Sequence, residues 1–404
     1  MLVNADLHIH SRFSGGVSSS MTLETLSIES KKKGIDLLGT GDCLHPQWMK
    51  EIKSMEKVDE GTYELNGMRF ILTDEIEDTH RVHHLLIFPS LSAAEDMYEK
   101  LRFRSNNINE DGRPHVFMEG WELAEIAREV GALIGPCHAF TPWTSMYAAH
   151  DSLRECYGDM VDYVSFLELG LSADSDYGDR ISELHRLTFL TNSDAHSPYP
   201  FRLAREFNRF EMRDITFEEL KMAILRKKGR KPVLNVGMPP EEGKYNETAC
   251  VRCYRHFSLE EAKGHRWKCP FCGGRIKKGV KDRVNELADL EKPEHPEHRP
   301  PYLKLIPLAE IISMALGTSS PTTKKVQREW ERLIESFRNE VNVLVDAPLE
   351  DVRKTAMPEV ADAIERFRTG RVYLRPGGGG QYGKISLEPL EEEHGSSQKT
   401  LFDF

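Results

Sequence analysis

The chain has 404 residues, 29% of them charged, with a net charge of −11 and a mean hydropathy of −0.50. That length suits two or three units of domain size and excludes a small disulfide-stapled scaffold. No run of about 18 uncharged apolar residues occurs, so no segment is expected to span a bilayer. The opening MLVNADLHIHSRF lacks the basic and then apolar layout of a secretory signal, and a cytoplasmic protein is expected.

The first 235 residues alternate short apolar runs with amphipathic ones. Strand candidates are LVNADLHIH (2–10), IDLLGTGD (35–42), RFILTDEIE (69–77), VHHLLIF (82–88), GALIGPCHAF (131–140), YVSFLELG (163–170) and LTFLTNSDAH (187–196). Helical patterns lie between several of them: MTLETLSIESKKK stopped by Gly34, SLSAAEDMYEKL with Ser92 and Glu95 in capping-box spacing, and WELAEIAREV stopped by Gly131. Strand followed by helix, repeated, predicts an α/β fold with a parallel sheet. His, Asp and Glu cluster at the C-terminal ends of these runs, where (β/α) barrels build their active sites. A closed barrel is therefore favoured over an open doubly wound sheet.

After Pro232 a Gly/Pro stretch leads into a cysteine-rich segment, and EKPEHPEHRPP (291–301) forms a second linker. Residues 303–372 read as helical, and 376–397 lack the apolar periodicity to fold and read as flexible. The expected units are a catalytic barrel (1–235), a zinc-binding domain (236–290), a helical domain (291–375) and a flexible tail (376–404).

In DLHIH the strand period puts Asp6, His8 and His10 on one face, a natural pincer for a transition metal. TNSDAHS repeats the arrangement with Asp194 and His196. GTGDCLH offers Asp42 and His45, ILTDEIE offers Glu75 with Glu77 as a rival, and GPCHAF offers His138. In VHHLL, His83 and His84 point opposite ways, so only one can face the site. Nine ligand-type residues exceed the needs of one ion and predict two or three, able to activate water and stabilise both oxygens of a phosphate ester under attack.

These motifs resemble those of the PHP (polymerase and histidinol phosphatase) family of metal-dependent phosphoesterases over roughly residues 1–235. The resemblance implies a distorted seven-stranded β/α barrel with a trinuclear metal site, and its motifs match His8, His10, Asp42, Glu75, His83, His138, Asp194 and His196. Zinc is the expected metal, with magnesium or manganese as alternatives at some positions. Asp194, Glu75 and His10 are expected to carry catalysis. Cys43 stands where the second motif of the family has His, and displacement of that ligand to His45 is expected.

Seven cysteines make an odd count. Cys250 and Cys253, fifteen residues, then Cys269 and Cys272 form two CxxC knuckles that can wrap one structural Zn²⁺. Residues 250–283 carry ten Lys or Arg against three acids, a local balance of +7 despite the acidic whole. With interleaved aromatics, that suits contact with a nucleic-acid backbone. Arg252, Arg255, Lys277 and Lys278 are candidate DNA contacts, joined by Phe140, Trp143 and Tyr147 from the 139–147 loop and Arg180 from the 170–180 loop. The final QKTLFDF has Gln398, Leu401 and Phe404 at the spacing of a sliding-clamp-interacting peptide.

Barrel, zinc module, helical segment with PPY…PLAEII (300–312) and terminal peptide, in that order, resemble PHP-family DNA repair endonucleases of archaea. The resemblance implies an enzyme acting on hypoxanthine, uracil, xanthine and abasic sites in DNA, with damaged DNA and the sliding clamp as partners. It further implies a lesion flipped out of the helix and hydrolysis of the phosphodiester on its 5′ side. A histidinol-phosphate-type phosphatase explains the barrel ligands but leaves the basic zinc module and terminal peptide without a purpose. A non-catalytic DNA-binding clamp adaptor would call for an incomplete ligand set.

Overall fold

A computed structural model describes residues 1–390 and the backbone of 399–400. Gln398, Leu401 and Phe404 lie outside the described residues. The fold is mixed α/β. Among the described residues no helix is long and apolar enough to cross a membrane.

The strands that build the centre are β1 (Leu2–Asp6), β2 (Leu37–Gly39), β3 (Met68–Ile71), β4 (Thr73–Glu77), β5 (His83–Ile87), β6 (Leu133–Pro136), β7 (Phe166–Glu168) and β8 (Thr188–Leu190). β1 pairs in parallel with β2, and β2 with β3. β4 follows β3 after Leu72 and pairs with β5, which pairs with β6. Ala139 N–H donates to Glu168 O at 2.9 Å, joining the end of β6 to β7, which runs parallel to β8. A parallel bridge from Ile9 to Ala195 brings the pairings back to β1.

The expectation of a wholly parallel sheet is corrected at β5, which runs antiparallel to both neighbours. Residues 78–82 are too few for a crossover helix. Instead the Asp78 carboxylate accepts from the N–H groups of His80 and Val82, both at 2.8 Å, and turns the chain straight back. β9 (Phe207–Glu211) is likewise antiparallel to β1 and carries β10 (Lys231–Gly237) on its outer edge.

Helix Leu23–Lys33 starts at Thr22, whose hydroxyl accepts from Thr25 N, and stops at Gly34 with φ 93°. Helix Gly120–Val130 stops at Gly131 with φ 76°. These ends follow the sequence. The start of helix Leu91–Leu101 does not: Ser90 caps it, accepting from Ala93 N, while Ser92 only shares a hydroxyl contact with Ser90. Val3, Ala5 and Leu7 pack with Leu37, Ile71, Leu85, Phe166 and Leu190, closed below by helix Phe217–Ile224.

Two further expectations change beyond these strands. The long helical pattern at 323–345 ends at Phe337 and resumes as a π-helical turn at Asn342–Asp346. Residues 376–390 are not a loose tail. Lys384–Ser386 pairs with Tyr373–Arg375, and Gly377 both accepts from Glu247 N and donates to Glu241 O. A side chain at Gly379 would come within 2.4 Å of Cys250 O. Glycine therefore lets this strand lie against the cysteine module, a route that apolar periodicity does not report.

Arg299, in the 291–301 linker, lies buried over the Phe189 ring and makes a bidentate pair with buried Asp179. This ties the linker to the strands. Glu206 is buried with Oε1 accepting from Met238 N at 2.7 Å and Oε2 without a partner. Burial, reinforced by the Glu168 and Asp6 charges, pushes its carboxyl up to about 8. The folded state thus holds a proton there that the unfolded chain releases near its ordinary value. Stability falls as pH rises from the unfolded value to the folded one and is flat above it. Glu206→Gln is expected to stabilise the fold by on the order of 3 kcal/mol at pH 8.5 and hardly at all at pH 4, read from urea midpoints at the two pH values.

Candidate metal centre

β1 ends its ladder at Asp6, and side chains take over from backbone partners. Leu7 N–H donates to Asn192 Oδ1 at 2.9 Å. The Asp6 carboxylate turns away to accept from the N–H and hydroxyl of Ser193 and from Ala204 N. His8 and His10 therefore enter the centre without Asp6. Asp194 and His196 follow β8, His138 follows β6, and Glu75 comes from within β4. His83 reaches the same mouth from the N-terminal end of β5, because that strand is reversed.

Glu75 is the hub. Its Oε1 lies 2.7 Å from His83 Nδ1, 3.0 Å from His138 Nε2 and 3.5 Å from His8 Nε2. Its Oε2 lies 3.3 Å from His10 Nε2. Asp194 Oδ1 lies 3.2 Å from His10 Nε2, 3.3 Å from His196 Nε2 and 3.8 Å from His8 Nε2. Burial alone would raise both carboxyls, but the surrounding imidazoles hold Glu75 and Asp194 well below their ordinary values.

The two inner rings are oriented from behind. His8 Nδ1 lies 2.9 Å from Glu168 Oε2, and His10 Nδ1 lies 3.0 Å from Asp42 Oδ1. Carboxylates in these places keep the Nδ1 protons and leave the Nε2 lone pairs pointing inward. His8 Nε2, His10 Nε2 and Asp194 Oδ1 are buried with no hydrogen-bond partner. Three inward donor atoms left unpaired beside a second carboxylate fit divalent metal ions in both type and orientation.

Two donor sets emerge, His8 with His10 and Asp194, and Glu75 with His83 and His138; within each the donor atoms lie within 4.8 Å of one another. Asp42, His138 and Asp194 hold positive φ values of 47°, 27° and 47°. Backbone strain of this sort in side chains other than glycine collects where geometry is set by function.

Three expected ligands, Asp42, His45 and His196, fall outside these sets, though His196 Nε2 stays 3.3 Å from Asp194 Oδ1. Asp42 serves from behind, its Oδ2 accepting from Ser11 N and the hydroxyls of Ser11 and Ser14. His45 stacks on Phe13 at 4.5 Å and stands at the N-cap of helix Pro46–Ile52. His84 points away and is satisfied by Tyr157 and Asp78. Glu77 reaches His83 Nε2 at 3.0 Å from the rim. The sequence reading missed Glu168, Cys137 and Arg113. Glu168 ends a strand like the acids that were recognised and could have been found by that rule. Cys137 lies beside His8 and Glu75, whereas Arg113 lies in an aperiodic loop that carries no signal.

In the cysteine module, Ala249–Cys250 pairs with Ile276–Lys277 over a small core of Cys250, Ala262, Cys269 and Ile276. Cys250 Sγ is 3.4 Å from Cys272 Sγ, and Cys253 Sγ is 3.7 Å from Cys269 Sγ. A tetrahedral ion with Zn–S bonds of about 2.3 Å requires sulfurs about 3.8 Å apart. The four thiols therefore match one closed site.

The candidate DNA contacts separate into two kinds. Phe140 and Tyr147 are buried, stack on each other at 5.1 Å and line the wall of a cleft, and Arg180 binds Asn285 and Leu290 O. Trp143 is 53% exposed with Lys277 Nζ 3.5 Å from its ring centroid. A cleft of about 390 Å³ runs between the 139–151 loop and the cysteine module, past Thr141, Pro142, Lys277, Lys278 and Arg283. Thr141 Oγ1, 3.1 Å from His138 Nδ1, links it to the centre. Arg252 donates to Cys272 O and Arg255 lies 3.7 Å over the Phe271 ring, both on the outer side of the module.

Fold and centre together define a mixed α/β protein with donor groups suited to metal binding, in the manner of metal-dependent hydrolases. Over 96% of both chains, with 51% identity and a TM-score of 0.93, it is similar to the lesion-specific endonuclease Q of Pyrococcus furiosus. The chain belongs to the endonuclease Q family. A structure of endonuclease Q with a 27-mer duplex carrying an abasic lesion at the active site matches with a TM-score of 0.91 and 51% identity over 96% of this chain and 97% of that one. The MJ0043 C-terminal domain family matches residues 307–371. Protein MJ0043 of Methanocaldococcus jannaschii is 50% identical over 269 residues, 65% of this chain, which spans only 33% of that relative.

Purified protein is expected to hold one ion in the cysteine module and two or three in the barrel. Cys269→Ser is expected to remove one ion per chain and Glu75→Gln the barrel ions, leaving the other site loaded in each case, as counted by inductively coupled plasma mass spectrometry.

Proposed function

We propose that this chain is a DNA repair endonuclease that recognises deaminated bases (hypoxanthine, uracil, xanthine) and abasic sites and hydrolyses the phosphodiester 5′ to the lesion. The observation that carries the reading is the coincidence of the inward donor set with end-to-end similarity to a lesion-specific endonuclease. The paired strands from β1 to β8, with β3 and β4 counted as one strand interrupted at Leu72, are read as one distorted seven-stranded PHP barrel (1–235), followed by a zinc domain (236–290) and a helical domain (291–375).

His8, His10, Glu75, His83, His138, Asp194 and His196 would hold two or three zinc ions, with magnesium or manganese in some positions, and Cys250, Cys253, Cys269 and Cys272 one structural zinc. Ions bound in the barrel would supply Lewis-acid stabilisation of the phosphate and a water of lowered pKa. Glu168 and Asp42 keep the two inner imidazoles in the tautomer that faces the reaction. The buried centre excludes bulk water and strengthens every charge interaction in it.

Trp143 and Lys277 offer a stacking surface and a cation at the entrance of the cleft, whose lining backbone and cations suit an extruded nucleotide. A deaminated or absent base costs less to extrude than a matched one, so selection can occur before chemistry. Docking to a sliding clamp through Gln398, Leu401 and Phe404, in the cytoplasm, completes the proposal.

The test is cleavage of end-labelled duplexes that carry one hypoxanthine, uracil or abasic site, beside an undamaged duplex and chelator-treated enzyme. A metal-dependent nick 5′ to each lesion is expected; release of phosphate from a small ester with no nick would sink the reading. Trp143→Ala is expected to raise the half-saturating enzyme concentration for a uracil duplex about tenfold, in line with one lost stacking contact, with metal content unchanged.

A further inference from the structure

We propose that Arg113 grips the phosphate that is to be cleaved. The inference rests on the endonuclease reading and adds a residue to its machinery. Among the described residues, Arg113 is the only Arg or Lys that forms an ion pair with Glu75 or Asp194, its Nη1 lying 3.4 Å from Glu75 Oε2. Among the described residues that long contact is the one hydrogen bond its guanidinium makes, so most of its five donors are left for a ligand. The side chain is 28% exposed, whereas Glu75 is 1% exposed. It therefore spans from the buried hub to the open mouth.

The backbone beneath it is placed firmly. Gly112 N–H donates to Phe13 O and Glu77 N–H to Pro114 O, at 3.1 and 3.0 Å, and Arg113 N–H donates to Asp111 Oδ1 at 3.1 Å. A Cβ on Gly112 would lie 2.2 Å from Asp42 Oδ2 and 2.5 Å from Ser14 Oγ. Only a residue without a side chain lets the loop settle this close behind His10, and that approach delivers the next residue over Glu75. The other cations nearby lack the combination. Arg81 reaches the rim residue Glu77 at 3.8 Å with its side chain 66% exposed, and Arg205, whose Nε donates to Ser193 O at 3.2 Å, forms no ion pair with Glu75 or Asp194 among the described residues.

A phosphodiester arriving at the mouth presents two anionic oxygens, which a guanidinium fork matches in a planar, paired contact. Such a contact would exchange for the weak one to Glu75 and would orient phosphorus toward the centre. It would also neutralise charge that grows on the oxygens as the bond breaks.

The experiment compares wild type, Arg113→Lys and Arg113→Ala holoenzymes by single-turnover cleavage of an abasic duplex over a range of enzyme concentrations. Metal content is counted alongside, and binding is measured to the same duplex with a neutral methylphosphonate at the scissile linkage. For Arg113→Ala we expect full metal content, a maximal rate about 10²-fold lower, and partial recovery with added guanidinium but not with added ammonium. Affinity for the neutral duplex should equal that of wild type, and Arg113→Lys should fall between the two. A wild-type rate in Arg113→Ala, a loss of metal that accounts for the loss of rate, or no recovery with guanidinium would overturn the assignment. Failure of wild type itself to cut the lesion duplex would instead overturn the endonuclease reading on which it rests.

Discussion

The structure depends on a carboxylate that has been taken out of water. Glu75 is 2% exposed, and an isolated buried carboxylate would protonate rather than persist. It stays ionised because four imidazoles and a guanidinium converge on it from strands and a loop far apart in the chain. The reversal of β5, the bridge that returns the strand circuit to β1 and the glycine-tight approach of the 105–116 loop all serve that convergence. Around it Glu168 and Asp42 hold the ring nitrogens that do not face inward. The centre therefore consists of donors pointing at one another across a gap, an arrangement of like and unlike groups that cations complete.

The modules outside the circuit of paired strands are indexed to this centre by buried or charge-assisted contacts rather than by linker length. Arg299 locks the 291–301 linker against Asp179. Arg283 donates to Tyr147 O, His150 O and Asp151 and holds the cysteine module against the loop that follows His138. The glycine-rich segment at 377–380, bridged to Glu247 through Gly378, packs against the module as well. Removing one member of the Arg299 pair would leave a buried charge behind, a larger penalty than the pair contributes as a stabiliser. Such contacts suit an enzyme in which a cleft between two modules must stay in register with a metal centre.

Local pattern was informative where the physics is local. Helix ends at Gly34 and Gly131, the strand runs, the two CxxC knuckles and the residue types of the centre are all readable from spacing. So is His83 over His84, once the alternating faces of a strand and the family pattern are combined. The Ser90 cap was not readable because Ser90 and Ser92 are equivalent in residue type, and the order in residues 376–390 was not because it is decided by partners distant in sequence. Asp42 and His45 show the limit most clearly. Both have ligand chemistry at a strand end, yet a turn with Asp42 at positive φ sends one behind His10 and the other into a stack with Phe13.

By itself the sequence determined the class of chemistry, since imidazoles and carboxylates at strand ends and paired thiols have few uses other than binding metals. Which of those groups share a site was decided only by tertiary structure. Donor atoms must meet within a few ångströms, and that distance depends on strand direction, backbone strain and the absence of a side chain at Gly112, none of which residue type encodes. The same reason hid Arg113, which acts from a loop that only folding brings to the centre.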